Sequence, residues 1–226
     1  MLSMPNVREM QFGGEIIHLH PSAALYFPQY KTLVVSDLHL EKGSFLGQTG
    51  APVPLYDTLD TLLRLKQLLD DYQPAQVILL GDTFHDRSAL ERLPAKECEI
   101  LLSMAQSIPN WWWVAGNHDA DLKLNLPGQA CRTLRVGNLN LSHEPVSGLT
   151  PLVVGHFHPK TTTSIAGHKI KGKVFIHDQS LLIMPAFGSY TGGLLTDHPV
   201  YTKLFSGRPD QYVIVNNKIW KTVPSR

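Results

Sequence analysis

The sequence predicts a mixed α/β (α+β) fold in which two β-sheets pack together with helices outside. Three observations predict it. Short apolar runs rich in Val and Ile recur at strand length, two longer segments carry helical periodicity, and the second half of the chain is mostly strand candidates. At 226 residues and 43% hydrophobic, the chain can bury a substantial core, and we read residues 1–226 as one domain.

Leu33–Ser36 reads as the first buried strand. It is followed by PLYDTLDTLLRLKQLLDDY, where Leu55, Leu59, Leu62, Leu63 and Leu69 recur at helical spacing, so an amphipathic helix is expected. Gln76–Leu80 is the next strand. Pro94–Ser107 is a second helix, with Pro94 suited to its first turn. Trp111–Ala115 follows as a strand, and its Trp111-Trp112-Trp113 run is read as buried chain with alternate rings in the core rather than as a base-stacking platform. Beyond residue 130 come Thr133–Val136, Leu139–Ser142, Leu152–Val154, Lys173–His177, Leu181–Met184, Tyr212–Val215 and Lys218–Trp220, with Asn216-Asn217 as a tight turn. The first half is thus β-α-β-α-β and the second mostly β.

The formal net charge of +1 argues against bulk electrostatic capture of nucleic acid, though not against a local basic groove. Cys98 and Cys131 form no C-x-x-C pair and imply no disulfide framework, which suits a reducing, cytoplasmic setting. The segment MLSMPNVREMQFGGE lacks an apolar core of signal-peptide type, and no apolar run approaches a membrane span. No membrane partner is expected.

The chemistry sits where the strands end. Asp37-Leu38-His39 follows the first strand, Gly81-Asp82-Thr83-Phe84-His85-Asp86 the second and Gly116-Asn117-His118-Asp119 the third. His143-Glu144-Pro145 follows Leu139–Ser142, and Gly155-His156-Phe157-His158-Pro159 follows Leu152–Val154. Ligand sites gather at the carboxyl ends of strands, where a rigid frame holds the loops. Imidazole and carboxylate together suit Mn, Fe or Zn, and the lack of thiolate disfavours a structural zinc site. Asp37, His39, Asp82, Asn117, His143, His156 and His158 give seven candidate ligands. One ion takes about four to six. Seven, with one bridging carboxylate, suit two ions roughly 3.5–4 Å apart, a pair that generates a hydroxide nucleophile and clamps the oxygens of an in-line phosphoryl displacement. Gly81, Gly116 and Gly155 are expected to permit the tight strand-to-loop turns.

D-x-H, G-D, G-N-H-D, a lone His and G-H-x-H, in this order over residues 37–158, resemble the calcineurin-like metallophosphoesterase superfamily. The resemblance implies a four-layer α-β-β-α sandwich with a two-metal site on its loops. It implies one ion on Asp37, His39 and His158, a second on Asn117, His143 and His156, and Asp82 between them. It implies that His118 is no ligand but acts on the phosphate, protonating the leaving oxygen or stabilising the developing charge. Where many phosphatases of the superfamily have G-D-x-x-D-R, this chain has His85 at the third position after Asp82, with Asp86-Arg87 one place late. G-D-x-F-H looks more like the SbcD-type repair nucleases, which implies His85 as a partner of His118 and tilts the substrate toward a phosphodiester. SDLHLEKG, GDTFHD, AGNHD, SHEP, GHFHP and PAFGSYTGG together resemble the bacterial PdeM group, the ligase-associated DNA damage response endonucleases. That resemblance implies manganese-dependent cleavage of single-stranded DNA in repair, with a DNA ligase and a helicase as partners.

Residues 160–173, KTTTSIAGHKIKGK, are the main basic stretch, and Lys160 and Lys171 are its candidate substrate contacts alongside Lys169, Lys173 and His168. A solvated hairpin explains the same residues. Tyr190, in the glycine-rich GSYTGG, is a third candidate substrate contact. His18 and His20, in IIHLHP, are read as surface or turn-stabilising residues. Two other functions compete with a DNA phosphodiesterase. One is a phosphoesterase for nucleotides or cyclic nucleotides, which the near-zero net charge favours. The other is a catalytically dead metal-binding scaffold, which the complete ligand set with His118 argues against.

Overall fold

The computed structural model describes residues 7–51, 53–119, 126–165 and 167–222. Residues 1–6, part of the segment read for a leader, and Ala166 of the basic stretch lie outside the described residues. The elements in chain order are β1 (Arg8–Phe12), β2 (Glu15–His20), β3 (Ala24–Phe27), β4 (Thr32–Val35), α1 (Lys42–Gln48), α2 (Asp57–Tyr72), β5 (Gln76–Leu80), α3 (Ala89–Arg92), α4 (Ala95–Ser107), β6 (Asn110–Val114) and β7 (Gln129–Cys131). There follow β8 (Thr133–Val136), β9 (Leu139–Ser142), β10 (Leu152–Val154), β11 (Lys160–Ile165), β12 (His168–His177), β13 (Leu181–Ile183), α5 (Pro199–Leu204), β14 (Asp210–Val215) and β15 (Lys218–Thr222).

The strands form two sheets. One runs β1 to β7 in sequence order, and the other runs β15-β14-β12-β13-β10-β9-β8 with β11 paired to β12. In the first, β4, β5, β6 and β7 are mutually parallel. In the second, β10 lies parallel to both β9 and β13.

Side-chain alternation builds the layers. Val34, Ile78, Leu80 and Val114 point between the sheets, where they meet Leu139, Leu141, Val153, Phe175 and Leu182. Their neighbours Leu33, Val35, Val77, Leu79, Trp111 and Trp113 point the other way, against Leu62, Leu65, Leu68, Leu101 and Met104 of α2 and α4. Trp112 packs half-buried on the inter-sheet side, so the three tryptophans do alternate. The outer face of the second sheet is closed by Tyr201 of α5 and by Phe205. The result is the expected α-β-β-α order of layers. Each buried aliphatic side chain contributes roughly 2 kcal/mol to holding it.

Three expectations need correction. The chain opens with an antiparallel β1-β2-β3 meander ahead of the strand at Leu33. IIHLHP is strand-like in the sequence and forms β2, but β1, REMQF, is largely polar, buries only alternate residues and does not stand out as a strand. In α2 the buried leucines are Leu62, Leu65, Leu68 and Leu69, whereas Leu55 and Leu63 are exposed. Lys173–His177 is only the second half of the longer β12. The Asn216-Asn217 turn is present, with both residues at positive φ. The His20 imidazole accepts a hydrogen bond from the Ser22 amide in the turn between β2 and β3, as its turn-stabilising reading requires. Among the described residues, no helix is long and apolar enough to cross a membrane.

Candidate metal centre

The carboxyl ends of β4, β5 and β6 meet those of β9 and β10 at one edge of the sandwich. There Asp37 and His39 follow β4, Asp82 follows β5, Asn117 follows β6, His143 follows β9, and His156 and His158 follow β10. All seven candidate ligands converge. The His39 and His158 Nε2 atoms lie 3.2 Å apart, and His158 Nε2 lies 3.0 Å from Asp37 Oδ1. Asn117 Oδ1 lies 3.0 Å from His143 Nε2 and 2.9 Å from His156 Nδ1. Asp82 Oδ2 stands between the two groups, 3.8 Å from His39 Nε2 and 3.3 Å from His143 Nε2.

The backbone is bent hard to achieve this. Asp37, His39, Asp82, His156 and His158 all have φ between 46° and 67°, the left-handed region that costs a non-glycine residue about 1–3 kcal/mol. Other contacts hold those bends in place. The His39 and Leu40 amides donate to the Asp82 and Thr83 carbonyls, and the Asp37 amide donates to the Gly81 carbonyl. Glycine enters for two different reasons. Gly81 has φ +80°, as a tight turn requires. Gly116 and Gly155 do not have positive φ; a Cβ at Gly116 would strike the Asp82 backbone and carboxylate, and one at Gly155 would strike Ser36 and Asp37. Their role is close approach rather than the tight turn that the sequence suggested.

Neighbouring groups assign the imidazole nitrogens. His143 Nδ1–H donates to the Leu80 carbonyl at 3.1 Å, which leaves Nε2 facing the centre. His156 presents Nδ1, while its Nε2 lies 3.4 Å from the Glu144 carboxylate. His39 presents Nε2, and its Nδ1 faces His85 Nδ1 at 3.3 Å.

The charges follow from burial and pairing. Burial opposes ionisation of Asp37, but the His158 hydrogen bond, the His158 and His143 charges and the Ser36 hydroxyl hold its carboxyl below the usual range. Burial likewise opposes ionisation of Asp82, and the His143 hydrogen bond and charge more than offset it. Burial alone would lower His143; Asp82 and Asp37 instead raise it to about 9. Burial takes His39 down to about 3 and lowers His156. The His39 imidazole is therefore neutral, with its lone pair available.

This donor set fits two divalent cations. Asp37, His39 and His158 form one group of ligand atoms within 4.8 Å of one another, and Asp82, His143 and His156 form another, with Asn117 Oδ1 beside it. The facing His39 and His158 nitrogens have one obvious neighbour that would satisfy both, a cation.

His118 stands at the rim. Its side chain is 39% exposed and its Nε2 lies 4.0 Å from Asp82 Oδ2. Nδ1 lies 2.7 Å from the His85 main-chain carbonyl, to which it donates. The expected partnership with His85 is therefore made by the backbone, while the rings stack at 5.3 Å between centroids. The His85 ring nitrogen turns to His39. Asp86 pairs with Arg92 on α3 and does not reach His118.

The remaining candidates lie along one side. Lys160 Nζ donates to the Thr191 carbonyl at 3.0 Å. Lys171 is exposed on β12. The Tyr190 hydroxyl is committed to the Pro54 carbonyl at 2.9 Å, so as a substrate contact it would have to use its ring. Lys173 leaves the basic rim altogether: its ammonium donates to the Ala186 and Gly188 carbonyls at 2.6 and 2.9 Å.

Two residues went unnoticed in the sequence although they lie inside the motifs. The buried Asp119 accepts from the Gly116 and Thr83 amides, both at 2.8 Å, and so ties the β6 loop to the β5 loop. Glu144 orients His156.

Comparison with known proteins bears on this geometry. Among solved structures, the nuclease MPE of Pseudomonas putida has a TM-score of 0.72 at 24% identity, covering 96% of this chain and 100% of that one. At that identity the likeness speaks for the fold. YfcE, a phosphoesterase from E. coli, has a TM-score of 0.41 at 18% identity, covering 82% of this chain and 88% of that one. No curated protein matches by sequence. The family model described as calcineurin-like phosphoesterase matches residues 30–203, a span that contains every converging side chain from Asp37 to His158. By that match, the chain belongs to the calcineurin-like phosphoesterase family.

Proposed function

We propose that this metal-dependent phosphoesterase cuts phosphodiester bonds within single-stranded DNA, as a manganese-dependent repair endonuclease. The observation that carries the reading is His118. Its Nδ1–H is committed to the His85 carbonyl, and its Nε2, on a side chain 39% exposed, lies 4.0 Å from Asp82 Oδ2.

In this reading Asp37, His39 and His158 would hold one divalent ion, Asn117, His143 and His156 would hold the other, and Asp82, between the two groups, would serve both. The two ions, when bound, supply Lewis acidity toward phosphoryl oxygen and lower the pKa of water. The protein's residues do the rest. The His85 carbonyl holds Nδ1–H of His118, so it is the doubly protonated ring that carries on Nε2 the proton to be delivered. From there it passes to the leaving oxygen as the phosphorus–oxygen bond breaks. Asp82 accepts the His118 amide at 3.0 Å, which ties the proton donor to the shared carboxylate. Support for a nucleic-acid substrate comes from the G-D-x-F-H signature and from the nuclease with which the fold is shared. A cytoplasmic setting and service beside a DNA ligase and a helicase belong to the same proposal.

A second reading, hydrolysis of nucleotides or cyclic nucleotides, is favoured by the net charge of only +1. Nicking of circular single-stranded DNA with added manganese separates the two, because a circle offers no ends. The parent should linearise the circle, and His118→Ala should do so about 10²–10⁴-fold more slowly with its metal content unchanged. An intact circle, with rapid hydrolysis of a small diester by the same sample, would establish the second reading instead. Loss of metal from His118→Ala would remove His118 from the role of proton donor.

A further inference from the structure

Antiparallel pairing puts Lys160 opposite Lys173, Thr162 opposite Lys171 and Ser164 opposite Lys169. Partners across a pair share a face, and residues two apart on a strand share it as well. One face of the β11–β12 hairpin therefore carries Lys160, Lys169, Lys171 and Lys173 together with Thr162 and Ser164. At its root this face looks toward the centre. Lys160 and Lys173 both reach carbonyls of the 186–191 segment, and the Gly188 amide of that segment donates to the Asp37 carbonyl. His158, a candidate ligand, runs through Pro159 directly into Lys160.

Lys173 is consumed in bracing that segment, but the cations beyond it are not. Lys169 and Lys171 are exposed, step outward along β12 about 7 Å at a time, and make no ion pair among the described residues. Lys42 opens α1, and its amide donates to the carbonyl of the candidate ligand His39. It too makes no ion pair among the described residues, and the nearby carboxylate of Asp57 is engaged by the Gly43 amide. A chain with a net charge of +1 has thus gathered a row of cations that starts beside the metal centre and runs out along one hairpin face.

We propose that Lys42, Lys160, Lys171 and Lys169 form a track for the backbone of a single-stranded polynucleotide, with Lys171 and Lys169 taking phosphates successively farther from the one that is cut. The proposal rests on the phosphodiesterase reading of the centre and names what that reading leaves open, where the polymer is gripped away from the scissile bond. Such a grip requires no base contacts, so it is blind to sequence.

The test uses Lys169→Glu/Lys171→Glu, two exposed positions, with the corresponding double arginine variant beside it. Binding of labelled oligothymidylate is followed by anisotropy in chelator at several salt concentrations. The preference for a long oligothymidylate over the dinucleotide TpT is then measured as a ratio of kcat/KM with manganese. The glutamate variant should bind roughly tenfold more weakly, and its plot of log affinity against log salt should be shallower by about 1.4, two phosphates at about 0.7 each. The preference for the long substrate should collapse, and the arginine variant should restore both. Unchanged affinity and slope, or equal loss on TpT and on the long substrate, would overturn the track. If the parent binds with the expected slope yet cleaves neither substrate, the phosphodiesterase reading falls and the track stands.

Discussion

His118 and His85 divide their work in a way that their side chains alone do not reveal. The main chain of His85 orients His118, and the ring of His85 faces the back of His39. His85→Ala keeps the carbonyl and removes the ring. Its effect should therefore appear at the metal, as a manganese Kd raised about 10–100-fold in calorimetric titration, with lost rate recovered by raising manganese. A rate loss that no manganese concentration restores would mean that the ring acts on His118 after all. This division was hidden in the sequence because a one-letter code gives no sign of which backbone carbonyl will face which ring. The seven converging side chains were legible for the opposite reason. D-x-H and H-x-H carry their spacing with them, and cation ligands must be of few chemical types. Asp119 and Glu144 stood in the same motifs, but each acts through a contact that exists only after two loops have met.

The 186–193 segment shows the same distinction between elements. Read alone it is a glycine-rich loop of little meaning. In the fold it is clamped from three sides: by the Lys173 ammonium, by Arg64 of α2 donating to the Phe187 carbonyl at 3.0 Å, and by its own amides on Ser36 and Asp37. A lysine in that position carries a pH signature. Burial, then Arg64 and Lys160, take Lys173 from its ordinary 10.5 to about 7. Between those values the unfolded chain holds a proton there that the folded chain has released. Stability must therefore rise with pH across that window, and the cost of the buried charge is felt in full below about 7. Urea midpoints of the parent and of Lys173→Met, taken at about pH 7 and about pH 9.5, should show this rise in the parent and a flatter response in the variant. Equal slopes would mean that the ammonium stays charged and solvated. The central strands were legible as elements because both their faces are buried and their apolar runs are continuous. β1, α1 and α3 were not, because their one-sided or short patterns look like loop.

At the scale of the whole molecule, the candidate centre joins two sheets whose facing sides are otherwise largely apolar. Asp37, His39, Asp82 and Asn117 come from the ends of the first sheet, and His143, His156 and His158 from the ends of the second. Five of these seven sit on left-handed backbone, and His143 and Asp82 face each other as a buried, charge-stabilised pair. Without cations, the facing His39 and His158 nitrogens and the clustered carboxylates are held together by the apolar core beneath them. An ion that binds only this assembled arrangement must stabilise the fold by mass action, about 2.7 kcal/mol for one site at a hundred times its Kd. For a chain of this size that corresponds to about 5–10 °C in Tm. Thermal unfolding with graded manganese should therefore move upward with the logarithm of concentration and return on addition of chelator. Asp82→Asn, which weakens the carboxylate that stands between the two ligand groups, should flatten that dependence more than His118→Ala, whose ring stands outside them. If the parent melts at the same temperature with chelator and with saturating manganese, the two sheets are not joined by metal. The seven residues would then have to be assigned to hydrogen bonding within the fold.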